Sequence, residues 1–377
     1  MWPDRYTCNY KVVSYEQVCC FCYRINLTLS AMDTTATPPK AILGIDVSKA
    51  KLDCHLIPDE TVLVTASGRR THSRSLVQAK AYRKTVANTA SGIQHLVEWM
   101  KGKQVELAHV CIEPTSFYHE LVFETLSADH WVSAINTRAV HRFAEALELI
   151  NKTDTLDAMV IAEFCRAQRP SASRPLTPSE RELRDLTRHR TALVQQAQKE
   201  ALRLESVRSK SCRMSIQRVL KALANEQTKI EAAIQEHIRL DATLRQQAKL
   251  YQSVKGVGPI VSATVLAEMP DLPHFDSARQ AAAYLGLVPR KSQSGSSLNR
   301  SGGITKRGNT RLRAILYMAA LTAMKRDPVV RAFADRIRGP HNAKKPKVVI
   351  VAVMRKLVHI LYGIAKSGQP RRLPAII

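Results

Sequence analysis

The apolar positions of this chain change their period part-way along. From Ala41 to Ile135 they come in short runs of strand length broken by polar turn formers, and from Ser179 onward they recur every three to four residues. Ala41-Ile-Leu-Gly-Ile-Asp-Val-Ser-Lys49 predicts a first strand that delivers Asp46 to the rim of a sheet, and Lys51–Ile57 a second strand hairpinned to it. Lys84–Asn88, Leu107–Ile112 and Trp131–Ile135 read as further strands. Helices are predicted over Ser91–Lys101, Ser116–Leu126 and Ala139–Ile150; in the first, Ser91 is placed as N-cap and Ile93, Leu96, Val97 and Met100 share a face. Residues 58–81, polar and basic, read as a loop or weak hairpin. The class expected is α+β.

Three early strands followed by alternating helix and strand give an RNase H-like mixed sheet with flanking helices. No G-x-G-x-x-G follows the first strand, which argues against a dinucleotide site. Asn151–Phe164 predicts a helix capped by Thr153 or Asp154, with Leu156, Met159, Val160 and Phe164 on its buried side. Arg166–Pro178, with three prolines, reads as a linker.

Ser179–Leu250 holds no proline or glycine, so it predicts long helices of coiled-coil type. Leu183, Leu186, Leu193, Ala197 and Leu204 approximate one heptad seam; Leu220, Leu223, Ile230, Ile234, Ile238 and Leu244 form a second, with a turn expected in Glu205–Ser215. Such a pair packs as an antiparallel hairpin or dimerises. Dimerisation is the expectation here, because neither seam has a globular partner in view.

Val254-Lys-Gly-Val-Gly-Pro-Ile-Val-Ser-Ala-Thr-Val-Leu266 matches a helix-hairpin-helix. Gly256 and Gly258, next to Lys255, would let backbone N–H groups approach a phosphate; the alternative is an ordinary glycine turn between helices. Residues 286–313 then set glycine and serine among seven cations, Arg290, Lys291, Arg300, Lys306, Arg307, Arg311 and Arg313, which suits a loop around a phosphodiester. Helices resume at Asn309–Lys325, Pro328–Ile337 and Lys347–Ala365. The organisation predicted is a disordered extension (1–40), a catalytic domain (41–169), linker and coiled-coil helices (170–250) and an all-α C-terminal domain (251–377).

Charge sharpens this division. Residues 1–157 carry 17 Lys and Arg against 17 Asp and Glu, so the whole net charge of +25 lies in 158–377, with 40 basic and 15 acidic side chains. A neutral first part joined to a basic second part reads as chemistry first and polyanion grip second. The eight cysteines (8, 19, 20, 22, 54, 111, 165, 212) lack paired CxxC spacing, and Cys111 and Cys165 lie in apolar contexts as reduced core residues; a cytoplasmic setting is expected. The Cys19-Cys20-Phe21-Cys22 cluster has no His or second Cys pair to complete a tetrahedral site, and residues 1–31 read as an upstream extension. No membrane partner is expected, since Arg355, Lys356 and His359 interrupt the most apolar stretch, Val348–Ala365.

Four acids carry the candidate chemistry. Asp46 and Glu113 each end a strand-like run, and Asp154 and Asp157, three apart, share a helix face. Such a quartet holds two hard cations, expected to be Mg²⁺ and about 4 Å apart, that flank a scissile phosphate. Asp46 would bridge both ions, Glu113 and Asp157 would hold one each, and Asp154 would complete the set.

Gly44-Ile-Asp-Val-Ser-Lys49, Ile112-Glu-Pro-Thr115 and Lys152-Thr-Asp-Thr-Leu-Asp157 resemble the DEDD motifs of the RuvC-like domain in the insertion-sequence "one-ten" transposases. The likeness continues through Val254–Pro259, Ala283-Tyr-Leu-Gly-Leu-Val-Pro289, Ser294-Gly295 and Thr305-Lys-Arg-Gly308, so it spans roughly residues 41 to 365. It implies a bacterial, nucleoid-associated recombinase that moves its own element, working as a dimer or tetramer on donor and target DNA. It also implies a structured non-coding bridge RNA as guide, and a catalytic serine that forms a covalent phosphoserine link. Ser294 is the serine assigned, with Ser292, Ser296, Ser297 and Ser301 as neighbours. Rival expectations are a RuvC-like junction-resolving endonuclease that hydrolyses DNA with water, and a non-catalytic nucleic-acid-binding protein.

Overall fold

Apolar alternation in the first strand governs the layering of the first half. The computed structural model describes residues 39–59, 63–64, 78–79, 81–147, 154–294, 298–340 and 343–372. The expected extension apart from Pro39 and Lys40, the Cys8, Cys19, Cys20 and Cys22 positions within it, and Gly295, Ser296 and Ser297 lie outside the described residues. The chain divides into two compact units, up to Pro175 and from Leu176.

In the first unit β1 (Ala41–Val47), β2 (Lys51–Ile57), β5 (Tyr82–Ala87), β6 (Ala108–Ile112) and β7 (Trp131–Ala134) form one sheet in the order β5-β2-β1-β6-β7. β1 is antiparallel to β2 and β2 to β5, whereas β1–β6 and β6–β7 are parallel. Order and directions agree with the RNase H-like expectation. A short pair, β3 (Leu63–Val64) with β4 (Gln78–Ala79), belongs to the stretch read as loop or weak hairpin.

Leu43, Ile45, Val47, Val110 and Ile112 face α1 (Ala90–Lys101) and α2 (Glu120–Leu126) in one core. Ile42, Ile57 and Cys111 face the other way, against Val140 of α3 (Thr137–Ala146) and Val160, Ile161, Ala162, Phe164 and Cys165 of α4 (Asp154–Gln168). Each such buried aliphatic side chain stabilises by roughly 1.5–3 kcal/mol. Gly44 permits the closest approach between layers. A Cβ there would stand 2.4 Å from both the Ala158 carbonyl oxygen and the Ala162 amide nitrogen.

Two helix starts differ from the sequence reading. The first cap is Thr89 rather than Ser91: its side chain accepts from the Gly92 N–H, so the helix begins at Ala90. α2 begins at Glu120 rather than Ser116, because Ser116 takes a left-handed φ of 50° and residues 117–119 form turns before the helix.

In the second unit, α5 (Pro178–Ser206) opens with a Thr177–Glu180 capping box, and α6 (Lys210–Leu240) runs back along it. The Arg190–Glu231 ion pair (2.7 Å) and the His237 ring nitrogen 2.8 Å from the Ser179 carbonyl fix the antiparallel direction. The seams expected to dimerise therefore meet each other inside one chain, burying Leu183, Leu193, Ile216, Ile234 and Ile238. Asp241 then caps α7 (Ala242–Gln252), followed by α8 (Pro259–Glu268), a 3₁₀ turn (Leu272–His274) and α9 (Ala278–Tyr284).

The C-terminal part is not all-α as expected. β8 (Pro289–Ser294) and β9 (Leu298–Ile304) pair antiparallel where a loop was read. These strands are almost wholly polar, so no apolar alternation announces them. α10 (Thr310–Arg326), α11 (Pro328–Arg338) and α12 (Pro346–Ser367) complete the unit. α12 is long and apolar enough to cross a membrane by length and composition. Here it packs on α7, α9, α10 and α11, burying Val349, Val353, Leu357 and Leu361 among others.

One buried carboxylate ties three of these helices together. Glu268, at the end of α8, accepts from Arg188 of α5 (2.9 and 3.3 Å) and from Asn309 (2.6 Å), with Arg311 3.7 Å away. Asn309 also caps α10 through the Leu312 N–H. Burial pushes the Glu268 carboxyl up, but Arg188, Asn309 and Arg311 outweigh it and hold it below the usual carboxylate range.

Three substitutions test this packing. Gly44→Val is expected to destabilise by about 1–3 kcal/mol in urea unfolding. Gly363→Ala in α12, where an added Cβ meets nothing within 4 Å, should be neutral or stabilising. Glu268→Gln is expected to lose on the order of 2 kcal/mol at neutral pH. Because the folded carboxyl titrates below its ordinary value of about 4.3, its contribution is present above that pH and is lost as pH falls through the depressed folded value. Wild type and variant should therefore converge in thermal unfolding on acidification; a gap that widens below pH 4.3 would contradict this.

Candidate functional site

Strand register brings the predicted acids of the first unit to one rim. Ile45 pairs with Ile112 across β1 and β6, so Asp46 and Glu113 each follow the last pair on neighbouring parallel strands. Ile45 and Ile112 face α1 and α2, and alternation turns the next residues to the face that α4 covers. The direction of α4 follows from two contacts. The Cys165 thiol near its end reaches the His109 carbonyl at the start of β6 (3.7 Å), while Ala158 and Ala162 lie over Gly44. α4 thus runs against β1 and β6, and its first turns, opened by Asp154 with Asp157 one turn later, lie toward the strand ends that carry Asp46 and Glu113. Asp46, Glu113 and Asp157 are all half-buried. The side chain of Asp154 lies outside the described residues.

A fifth carboxylate, absent from the sequence reading, shares this face. Asp53 of β2 pairs directly with Asp46, and cross-strand partners of this kind stand roughly 4.5–5.5 Å apart at Cβ. Like charges so placed repel unless compensated. Asp53 is buried and accepts from the Thr85 hydroxyl (2.6 Å), with the Lys51 ammonium 3.0 Å away. Its charge is therefore met by protein groups on the β2–β5 side.

The turn beyond Asp46 is held as firmly. Ser48 donates its hydroxyl to the Lys51 carbonyl (2.8 Å) and accepts from the Lys51 N–H (3.1 Å). Asn88 donates to the Ser48 and Tyr118 carbonyls, both at 2.9 Å, and so links the segment after Asp46 to the one after Glu113. Sequence reading placed Asn88 only as a strand end; a side-chain bridge between two loops leaves no periodic trace.

In the second unit Ser294 is the last residue of β8, paired with Leu298 beside the hairpin tip, and Ser292 and Ser301 lie within the two strands. The hairpin neck is clamped. Gly286 and Gly308 adopt φ of 68° and 127°, and a Cβ at either would strike backbone of Arg307 or Tyr284 within 2.3 Å. The Lys306 N–H donates to the Gly286 carbonyl, and the Arg313 guanidinium to the carbonyls of Leu285 and Gly308 (both 3.0 Å). Arg313, expected to grip nucleic acid, braces this neck, and Arg311 faces Glu268. Lys255, Arg290, Lys306 and Arg307 are exposed, while the side chains of Lys291 and Arg300 are outside the described residues.

The two glycines of the turn between α7 and α8 differ. Gly256 (φ 102°) is pressed against α10, where a Cβ would come within 2.8 Å of the Ala319 carbonyl oxygen and the Ala323 amide nitrogen. Its lack of a side chain is thus explained by packing. Gly258, the residue before α8, opens onto free space.

Residues 43–209 match the DEDD-type transposase family, and residues 248–335 match the transposase IS116/IS110/IS902 family. Over 290 residues, covering 76% of this chain and 89% of the relative, the chain is 29% identical to a pilin gene-inverting protein of Moraxella bovis. A putative transposase, y4qE, of Sinorhizobium fredii is 27% identical, with 88% and 90% of the two chains covered. The transposase for insertion sequence element IS1111A of Coxiella burnetii is 34% identical over 113 residues, 29% of this chain and 31% of that one. With the acid-bearing unit matched by one family and the hairpin-bearing unit by the other, the chain belongs to the IS110/IS116 family of transposases, enzymes that act on DNA.

Proposed function

We propose that the chain cuts and rejoins DNA strands by serine transesterification at a divalent-metal frame. The observation that carries this reading is the convergence of β1, β6 and the first turns of α4 on one rim. Asp46, Glu113, Asp154 and Asp157 would hold the ions, Mg²⁺ by the hardness of an all-oxygen donor set. The donor set fits: carboxylates from three elements meet at one edge, and Asp53 opposite Asp46 already has its own Lys51 and Thr85 partners. A bound divalent cation supplies charge neutralisation at the scissile phosphate.

The nucleophile in this reading is Ser294. Its Oγ forms a bond to phosphorus as the phosphorus–oxygen bond to the leaving strand breaks; the serine proton passes to solvent, and the departing sugar oxygen takes up a proton as a hydroxyl. A hydroxyl of the incoming strand then displaces the serine and restores it. Ser294 at a hairpin tip, on a neck clamped by Gly286, Gly308 and Arg313, suits a group that must enter a DNA substrate. The exposed Lys255, Arg290, Lys306 and Arg307 grip the backbone, with Gly258 as the open glycine of a helix-hairpin-helix. We assign guidance to a structured non-coding RNA, residues 41–169 to metal chemistry and 251–377 to the serine, and the working assembly to a dimer or tetramer.

Three outcomes test this. Asp46→Ala and Ser294→Ala should each lower strand exchange by on the order of 10²-fold or more, with exchange by the wild-type protein abolished by chelator and restored by Mg²⁺. A denaturing gel should trap labelled DNA on wild-type protein and none on Ser294→Ala; cleavage that survives in Ser294→Ala would make water the nucleophile, as in a junction-resolving endonuclease. Sequencing of co-purifying RNA should return one abundant species encoded beside the gene, and a heterogeneous background would reject the guide.

A further inference from the structure

The face of the sheet beneath α4 carries a second donor set, deeper than the acidic rim and chemically unlike it. A ring nitrogen of His109 and the sulfurs of Cys111 and Cys165 all lie within 4.8 Å of one another. His109 and Cys111 are alternate residues of β6 and so share a face, and Cys165 reaches them from α4. All three are at most 1% exposed.

The tautomer of His109 follows from its partner. Ser133 on β7 stands 3.0 Å from His109 Nε2 and donates its hydroxyl toward the carbonyls of Pro170 (3.0 Å) and Ser171 (2.9 Å). Carbonyls only accept, so the one serine proton is committed to them and Ser133 receives the Nε2–H. Nδ1 then carries a bare lone pair, buried and without a hydrogen-bond partner. Leaving such an acceptor unmade is costly. A metal-ligating histidine is oriented in this same way, its second ring N–H donated to a fixed partner.

We infer that His109, Cys111 and Cys165 form a binding site for a thiophilic cation of the zinc class. Two sulfurs and an imidazole are the donors such an ion selects, and a hard cation held by carboxylates would not choose them. Bond lengths of about 2.3 Å to sulfur and 2.0–2.1 Å to nitrogen imply ligand separations of roughly 3.5–3.8 Å. The cluster therefore needs to contract by about 1.3 Å at most, from the 4.8 Å limit above. On binding, each thiol gives up its proton to solvent and coordinates as thiolate. The ion would clamp β6, which leads into Glu113, to α4, which opens with Asp154 and Asp157. It would therefore fix the spacing of the acidic rim without taking part in the reaction.

The test uses full-length protein in which Cys8, Cys19, Cys20 and Cys22 are changed to Ala, so that N-terminal thiols cannot supply the ligands. Loaded with Zn²⁺ and dialysed, it should retain one ion per chain, with a zinc-edge X-ray absorption shell of two sulfurs near 2.3 Å and at least one imidazole nitrogen. Adding Cys165→Ala should remove the ion while far-UV circular dichroism is unchanged. Failure to retain zinc, a shell of oxygen and nitrogen alone, or full retention after Cys165→Ala would each overturn the assignment. Should Cys165→Ala fail to fold, the absorption shell of the four-cysteine variant decides the matter.

Discussion

The bare backbone of Gly44 is the constraint on which the first unit depends. Helices normally stand off a sheet by the thickness of two side-chain layers, and here one layer is missing at a single point. Ala158 and Ala162 of α4 settle onto that gap, both among the smallest residues the helix could offer. The contact sets height and direction together. Two residues further along β1 the strand delivers Asp46, and one residue before Ala158 the helix delivers Asp157. A steric vacancy in the core thereby sets the distance between carboxylates at the surface.

The second unit rests on charge rather than on vacancy. Glu268 is almost fully buried, and its cations come from helices far apart in sequence, with Asn309 both satisfying the carboxylate and capping α10. A buried ion pair of this kind adds little net stability over an apolar alternative, yet it is strongly directional. It admits one arrangement of α5, α8 and α10, and the next elements, including the neck at Gly308, take their positions from it.

Much of this was legible in the sequence wherever burial leaves a periodic trace. β2 was placed to the residue, β1 carries Asp46 one residue before its end, and the α10–α12 helices appear within a residue or two of their predicted bounds. What stayed hidden has physical reasons. Asp53 lies in a strand buried on both faces, where a carboxylate needs compensation; Lys51 stands two residues away on the same strand, but Thr85 comes from β5, a pairing its sequence neighbours do not announce. The β8–β9 hairpin is held by backbone pairing and two left-handed glycines, so its polar side chains read as loop. The α5 and α6 seams carried the right residues but not their partner. Each proved to be the other's globular face, which a search for an external surface could not anticipate. Arg311 and Arg313 look in sequence like the other cations of their stretch, and only tertiary contacts separate a brace from an exposed charge.

The clamped neck of the hairpin has a mechanical side. Strands of this length extend roughly 20 Å at 3.3–3.4 Å per residue, and the principal contacts of β8 and β9 are with each other. Any rotation of such an arm about its neck at Gly286 and Gly308 would be magnified along its length. A rotation of about five degrees there, geometrically small beside the breadth of the allowed backbone regions, would move the tip through nearly 2 Å. Ser294, beside the tip, would move farther in such a rotation than any residue at the neck, and the bonds that resist it are those of Lys306 and Arg313 to the carbonyls of Gly286, Leu285 and Gly308.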